Sequence, residues 1–157
     1  MQGRTIWIVI PGQKEEGVPN PGLTPQGRSR TESLGALLPR KPGRILSGTG
    51  KRCLQAVEAL GLELTGTREV FGTATSSNAD GSVTLACGTT LPAGIHQFGG
   101  DRQQAIRDEL ALLPGFSVVI ATSPVLKALG IEDPAKATVY LYHPDSKEVR
   151  VHPRQPT

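Results

Sequence analysis

The segment TIWIVI, residues 5–10, holds five consecutive apolar residues and stops at Pro11-Gly12. A strand with one wet face alternates apolar and polar residues. An unbroken run of this length reads instead as a strand buried on both faces, the state of strands in a parallel sheet. Such a strand needs a cover on each side, so the chain that contains it must supply helices for both.

The helices are there. Thr24 is placed to cap a helix with Pro25 at its first position, and Leu34, Leu37 and Leu38 give that helix an apolar face before Pro39 and Pro42-Gly43 end it. RILS (44–47) is a second strand, and KRCLQAVEALG (51–61) a second helix closed by Gly61. LELTGTREV (62–70) is predicted as a third strand. Residues 71–100 are rich in Thr, Ser and Gly, with little pattern. DRQQAIRDELALLPG (101–115) is a helix with Ile106, Leu110 and Leu113 on one face. FSVVIAT (116–122) is a buried strand, PVLKALG (124–130) a short helix, and ATVYLYH and EVRV a terminal strand pair about Pro144-Asp145. No repeat, heptad or low-complexity linker interrupts the series. Strands alternating with helices predict a three-layer α/β/α sandwich with a mostly parallel central sheet. The 157 residues suit a single domain over 1–157, long enough to bury a core without disulfides or metals.

Composition narrows the function classes. Seventeen Lys and Arg against 14 Asp and Glu leave a net charge of +3. No dense basic run occurs and no aromatics interleave with basic residues, which argues against nucleic acid. The apolar stretch at 6–10 is too short to cross a bilayer or to serve as a leader, so no membrane partner is expected. The two cysteines, Cys53 and Cys87, make no CxxC or metal pattern, and a reducing cytoplasm is the expected location. Neither starts a Cys-x5-Arg motif, because residues 59 and 93 are both Ala. Glu15, Glu16, Asp101 and Asp108 show no paired or metal-ligand spacing, and no cofactor is expected. His96, His143 and His152 stand alone in sequence, with His96 in the segment best able to overhang a site.

In parallel sheets, ligands lie beyond the carboxyl ends of the strands. Three turns leave those ends: Pro11-Gly12-Gln13, Ser47 to Arg52, and Thr122-Ser123-Pro124. The middle one, SGTGKR, has the outline of a phosphate loop. A nucleotide P-loop, GxxxxGK[ST], would need glycine at Ile45 and a hydroxyl residue at Arg52, and a dinucleotide GxGxxG would need glycine at Cys53. Both fail.

A different pattern fits. LTPQGRSRTESLGALL (23–38), SGTGKRCLQAV (47–57) and SVVIATSPVLKAL (117–129) follow one another as the first helix, second motif and later strand-turn-helix of one known family. In this the chain resembles the histidine phosphatase superfamily, the phosphoglycerate mutase-like proteins, over about Thr5 to Tyr142. The resemblance implies the phosphoglycerate mutase-like fold and a phosphate pocket at the three turns. It also implies losses. The family's Arg-His-Gly reads Ile10-Pro11-Gly12, and its second histidine is Thr122. Arg52 alone survives of the four-residue Arg-His-Arg-His set. The family's leaving-group acid would fall near 68–69, where Arg68 is the better-aligned position and Glu69 its neighbour.

In the family mechanism a neutral imidazole nitrogen attacks phosphorus while arginine forks and a second imidazole hold the oxygens. Proline has no side-chain lone pair to accept a phosphoryl group, so that mechanism is closed here. The resemblance thus implies a non-catalytic, pseudoenzyme domain whose vestigial phosphate pocket is Gly12, Arg52, Thr122 and Ser123. Arg52 has a plain alternative: it could simply pair with a carboxylate or bond carbonyls. In the pocket, with Lys51, the Gly48 and Gly50 amides and a helix N-terminus, it could hold a phosphate-bearing small molecule weakly. A protein partner is the other expected ligand. The alternative is a phosphohydrolase or phosphotransferase with a relocated group, His96 or a metal-bound water. A third possibility is an interaction module with the pocket filled by Ile10, Pro11 and Pro124, homodimer included. Cys53, in an alanine slot of the family pattern, is expected to be an inert core thiol.

Overall fold

The computed structural model describes residues 4–13, 22–48, 51–67, 71, 74–77, 83–85, 90–91 and 102–153. Six strands form the central sheet: β1 (Ile6–Ile10), β2 (Ile45–Ser47), β3 (Gly66–Thr67), β7 (Val118–Ile120), β8 (Thr138–His143) and β9 (Glu148–Val151). Their order is β3-β2-β7-β1-β8-β9. The β3/β2, β2/β7 and β7/β1 ladders are parallel, and β8 runs antiparallel to both β1 and β9. The expected mostly parallel sheet is therefore present, closed on one side by the predicted antiparallel terminal pair.

The apolar run of β1 is divided between two cores. Ile6, Ile8 and Ile10 join one cluster with Ile106 and Leu110 of helix α3 (Arg102–Ala111) and Val125 and Leu126 of α4 (Ser123–Ala128). Val9 joins the other, with Leu34 and with Cys53, Ala56 and Val57 of α2 (Lys51–Leu60). Strand β7 splits the same way, Val119 to the first cluster and Val118 and Ile120 to the second. Period-two alternation across a strand buried on both faces produces this division, and it gives the three layers.

Helix α1 (Pro25–Ser33) begins as its sequence predicts: Thr24 Oγ1 accepts the Gly27 N–H at 3.0 Å and Pro25 opens the first turn. It ends sooner than the sequence suggests. The Ser33 hydroxyl donates to Arg30 O at 2.6 Å, and Leu34–Leu37 tighten into a 3-10 turn. That turn still delivers Leu34 to the core and leaves Leu37 and Leu38 half-buried.

Of the strand expected over 62–70, Gly66–Thr67 is strand and 68–70 lie outside the described residues. The patternless stretch contains a second, three-stranded antiparallel sheet: β4 (Ala74–Ser77), β5 (Val83–Leu85) and β6 (Thr90–Leu91), with an irregular register between Ala74 and Ser76. Its strands are too short and too rich in Ser and Thr to show apolar alternation. Among the described residues, no helix is long and apolar enough to cross a membrane.

Candidate functional site

Strands β1, β2 and β7 end on one edge of the sheet, with Ile120 opposite both Val9 and Ser47. The three turns noted in the sequence thus leave the same edge. Gly48 N–H donates to Ile120 O at 2.9 Å and Ala121 N–H to Val9 O at 3.0 Å, which holds their first residues side by side.

The turn after β1 is bound to the chain on every side. Ile10 is 2% exposed and Pro11 is buried, its carbonyl accepting from Ala137 N–H at 3.1 Å. Gly12 N–H donates to Thr31 Oγ1 at 2.9 Å, and that hydroxyl donates to Gly27 O at 2.7 Å. Gln13 O accepts from Thr24 N–H at 3.0 Å. Here two backbones touch: a Cβ on Gly12 would overlap the Gly27 carbonyl, and a Cβ on Gly27 would overlap the Gln13 backbone. That contact is a physical reason for glycine at both positions, and it directs the Gly12 N–H to Thr31.

Thr122 is 5% exposed at the start of α4 but does not cap it with its side chain. Its N–H and its Oγ1 both donate to Phe71 O, at 3.1 and 3.4 Å. Phe71 is fully buried in the cluster that contains Ile10, Ala121 and Val125. An aromatic residue from the connection after β3 therefore packs where β1 and β7 end. Ser123 is half-buried on the first turn of α4.

On the third turn, Gln55 Oε1 accepts from Leu23 N–H at 2.6 Å, fastening α2 to the approach of α1. Arg52 lies one turn earlier, half-buried. Its guanidinium makes no hydrogen bond or ion pair among the described residues, and burial holds its pKa below the ordinary arginine value despite a small opposing effect of Cys53. Cys53 is 1% exposed, in the second core cluster. Burial pushes its thiol from 9.0 up to about 11, against weaker opposing effects of Arg52 and the Gly48 amide. It has the surroundings of an inert core thiol, not of a nucleophile.

The edge holds one group that residue pattern did not single out. Gln13 Oε1 is buried and has no hydrogen-bond partner among the described residues. Its position directly after Pro11-Gly12, at a parallel strand's carboxyl end, was the available signal. Arg52, on the first turn of α2, is the cation at this edge that could meet an oxyanion.

The other candidates lie elsewhere. His143 Nδ1 is 3.1 Å from Thr5 Oγ1, on the opposite edge, because β8 runs against β1. His152 follows β9, the outermost strand, with its N–H on Val139 O. Thr49, Gly50, Arg68, Glu69, Cys87 and His96 lie outside the described residues. No group of three or more His, Cys, Asp or Glu suited to a metal occurs among the described residues.

No family model matches the chain, and no curated protein does. Solved structures do match. TTHB049 from Thermus thermophilus superposes with a TM-score of 0.60 at 18% identity, covering 88% of this chain and 92% of that one. SixA from Agrobacterium tumefaciens, a candidate phosphohistidine phosphatase, gives 0.57 at 14% identity over 96% and 97%. The protein histidine phosphatase SixA complexed with tungstate gives 0.57 at 15% identity over 94% and 93%. The chain thus has a histidine phosphatase-like mixed α/β fold built on a six-stranded central sheet, the fold it shares with SixA and TTHB049.

Proposed function

We propose that the protein is a non-catalytic, histidine phosphatase-like binding domain that holds a phosphate-bearing group weakly at Arg52. The observation that carries this reading is the Arg52 guanidinium, half-buried and unpartnered among the described residues at the sheet edge where ligands of such folds lie. Leaving a cation partly desolvated without a counter-charge destabilises a fold, so an anion at that place would offset the cost. The remaining candidates bear on catalysis. Pro11 stands at the nucleophile's place and has no side-chain group to accept a phosphoryl. The Thr122 hydroxyl and amide are turned to Phe71 O. Cys53, the nearest described thiol, is core.

Tungstate, which occupies the SixA complex, is a tetrahedral oxyanion and a suitable probe. Calorimetric titration of the protein with tungstate and with inorganic phosphate is expected to give Kd values on the order of 1 mM, about 4 kcal/mol, the weak affinity expected of a single cation. Arg52→Met keeps the length of the side chain and removes the charge. It is expected to abolish the heat of binding and to raise stability by about 0.5–1 kcal/mol. The same preparation should show no turnover of p-nitrophenyl phosphate or a phosphohistidine peptide above background. Robust turnover lost in Arg52→Ala would overturn the non-catalytic reading, and metal-dependent turnover lost in His96→Ala would replace it with a relocated catalytic group.

A further inference from the structure

The edge opposite Arg52 carries a feature that the site does not use. Phe116, just before β7, has φ 63°, a left-handed conformation that glycine takes freely and a bulky residue rarely does. The residue is nevertheless 60% exposed. It stacks on Trp7 of β1 at 5.7 Å between centroids and 21° between planes, and Trp7 is fixed by its indole N–H donating to Leu37 O at 3.0 Å. The backbone beneath is tightly tied: Phe116 N–H donates to Thr5 O at 2.9 Å and Gly43 N–H to Phe116 O at 3.0 Å. A strained backbone that presents an apolar ring to water calls for a functional explanation.

The neighbouring loop is basic. Arg40, Lys41 and Arg44 fall within the five residues RKPGR, and none makes a side-chain hydrogen bond or ion pair among the described residues. Gly43 brings this loop against the Phe116 turn so closely that a Cβ there would lie 2.7 Å from Gly115 O. Arg44 N–H donates to Ser117 Oγ at 3.1 Å. Of the acids near this edge, Asp145 pairs with Arg4 at 3.0 Å and Glu148 opens the outer strand β9, while the exposed Glu63, three residues before β3, lies on the β3 side of the basic loop. Backbone contacts therefore set an exposed aromatic residue beside a loop that carries three cations unpaired among the described residues.

We infer that this amino edge is a docking platform for an acidic peptide segment with an apolar anchor residue. The anchor packs on the outer face of Phe116, and carboxylates on either side meet Arg40, Lys41 and Arg44. This is the usual anatomy of a small interface, an aromatic centre with a charged rim. A single nucleic-acid strand fits less well, since such strands stack successive bases on several rings. Here Phe71, Tyr140 and Tyr142 are buried, and Phe116 is the exposed ring among the described residues.

The full chain has one tryptophan, Trp7, directly beneath Phe116, so its emission reports on the platform. The probe is a short synthetic peptide in which glutamates flank two leucines, with no aromatic residue of its own. It should change Trp7 emission, and its affinity should fall as salt is added. Phe116→Gly should weaken it at least ~tenfold while keeping the melting temperature near wild type, because glycine accepts the left-handed backbone. Replacing Arg40, Lys41 and Arg44 together by serine should weaken binding and flatten the salt dependence. A lysine version of the peptide should not bind. Unchanged affinity in Phe116→Gly, tighter binding of oligo-dT than of the glutamate peptide, or no binding of that peptide at millimolar concentration each overturns the inference. Arg52→Met should leave peptide binding intact, which separates this surface from the oxyanion reading.

Discussion

Beyond the carboxyl ends of β1, β2 and β7, polar groups are largely engaged by the chain itself: Pro11 O by Ala137, Gly12 N–H by Thr31, both donors of Thr122 by Phe71 O. Before the amino ends of the same strands, Arg40, Lys41 and Arg44 make no side-chain bond among the described residues and Phe116 faces water. The contrast is one of solvation. An unpaired cation in water costs almost nothing, whereas one that is half-buried loses hydration without return. Three such cations at the exposed edge are ordinary singly and informative only as a group around Phe116. Arg52, at the packed edge, is informative by itself.

The sharpest way to break this contrast is to place a charge in the packed edge. Ile10→Arg puts a guanidinium among Phe71, Ala121 and Val125, and chemical denaturation should show a loss of about 3–5 kcal/mol. A stable Ile10→Arg protein with tighter phosphate binding would mean that this edge is open to ligand. Next in size is Gly27→Ala. Helix propensity alone predicts a gain of about 1 kcal/mol. The overlap with the Gln13 backbone predicts a loss of roughly 2–3 kcal/mol, so the sign of the change in urea midpoint tests the close approach directly.

A comparable but pH-dependent effect comes from Cys53, whose thiol rises from 9.0 to about 11 on folding. The unfolded chain ionises first as pH rises, so the contribution is full below pH 9 and is lost between about 9 and 11. The loss is roughly 2–3 kcal/mol. Urea midpoints across that range should fall, and Cys53→Ala should flatten the dependence. The smallest expected effect lies at the exposed edge. Arg4 holds the Asp145 carboxyl below its usual range through hydrogen bonds from its side chain and backbone. Asp145→Asn should destabilise slightly, with the difference vanishing in high salt. In the native protein that contribution is present above the ordinary carboxylate pKa and lost as pH falls through the lowered one. A large or salt-resistant effect would show that the exposed edge depends on ion pairing for its shape.

Much of the fold was legible because it is written locally. The apolar run 6–10, the Thr24 cap, the shared face of Ile106, Leu110 and Leu113, and the terminal strand pair all depend on residues a few positions apart. The same holds for the failures of the P-loop spacing at Ile45 and Arg52. The 3-10 end of α1 and the small β4-β5-β6 sheet were not legible. One turns on a single Ser33 hydrogen bond, and the other on strands of two to four residues.

The candidate site divides along the same line. Sequence determined that three turns leave parallel strands and that the chain alternates strand and helix; that Arg52 is kept where Ile10, Pro11 and Thr122 replace a family's residues is what the resemblance implies. Tertiary structure decided that Gly12 meets Gly27, that Phe71 reaches across 51 residues to Thr122, that Gln13 Oε1 is left without a partner among the described residues, and that Phe116 rests on Trp7. Periodicity and capping are properties of neighbours along the chain. Which groups become buried, and against what, is set by contacts between segments far apart in sequence, and no local pattern carries that information.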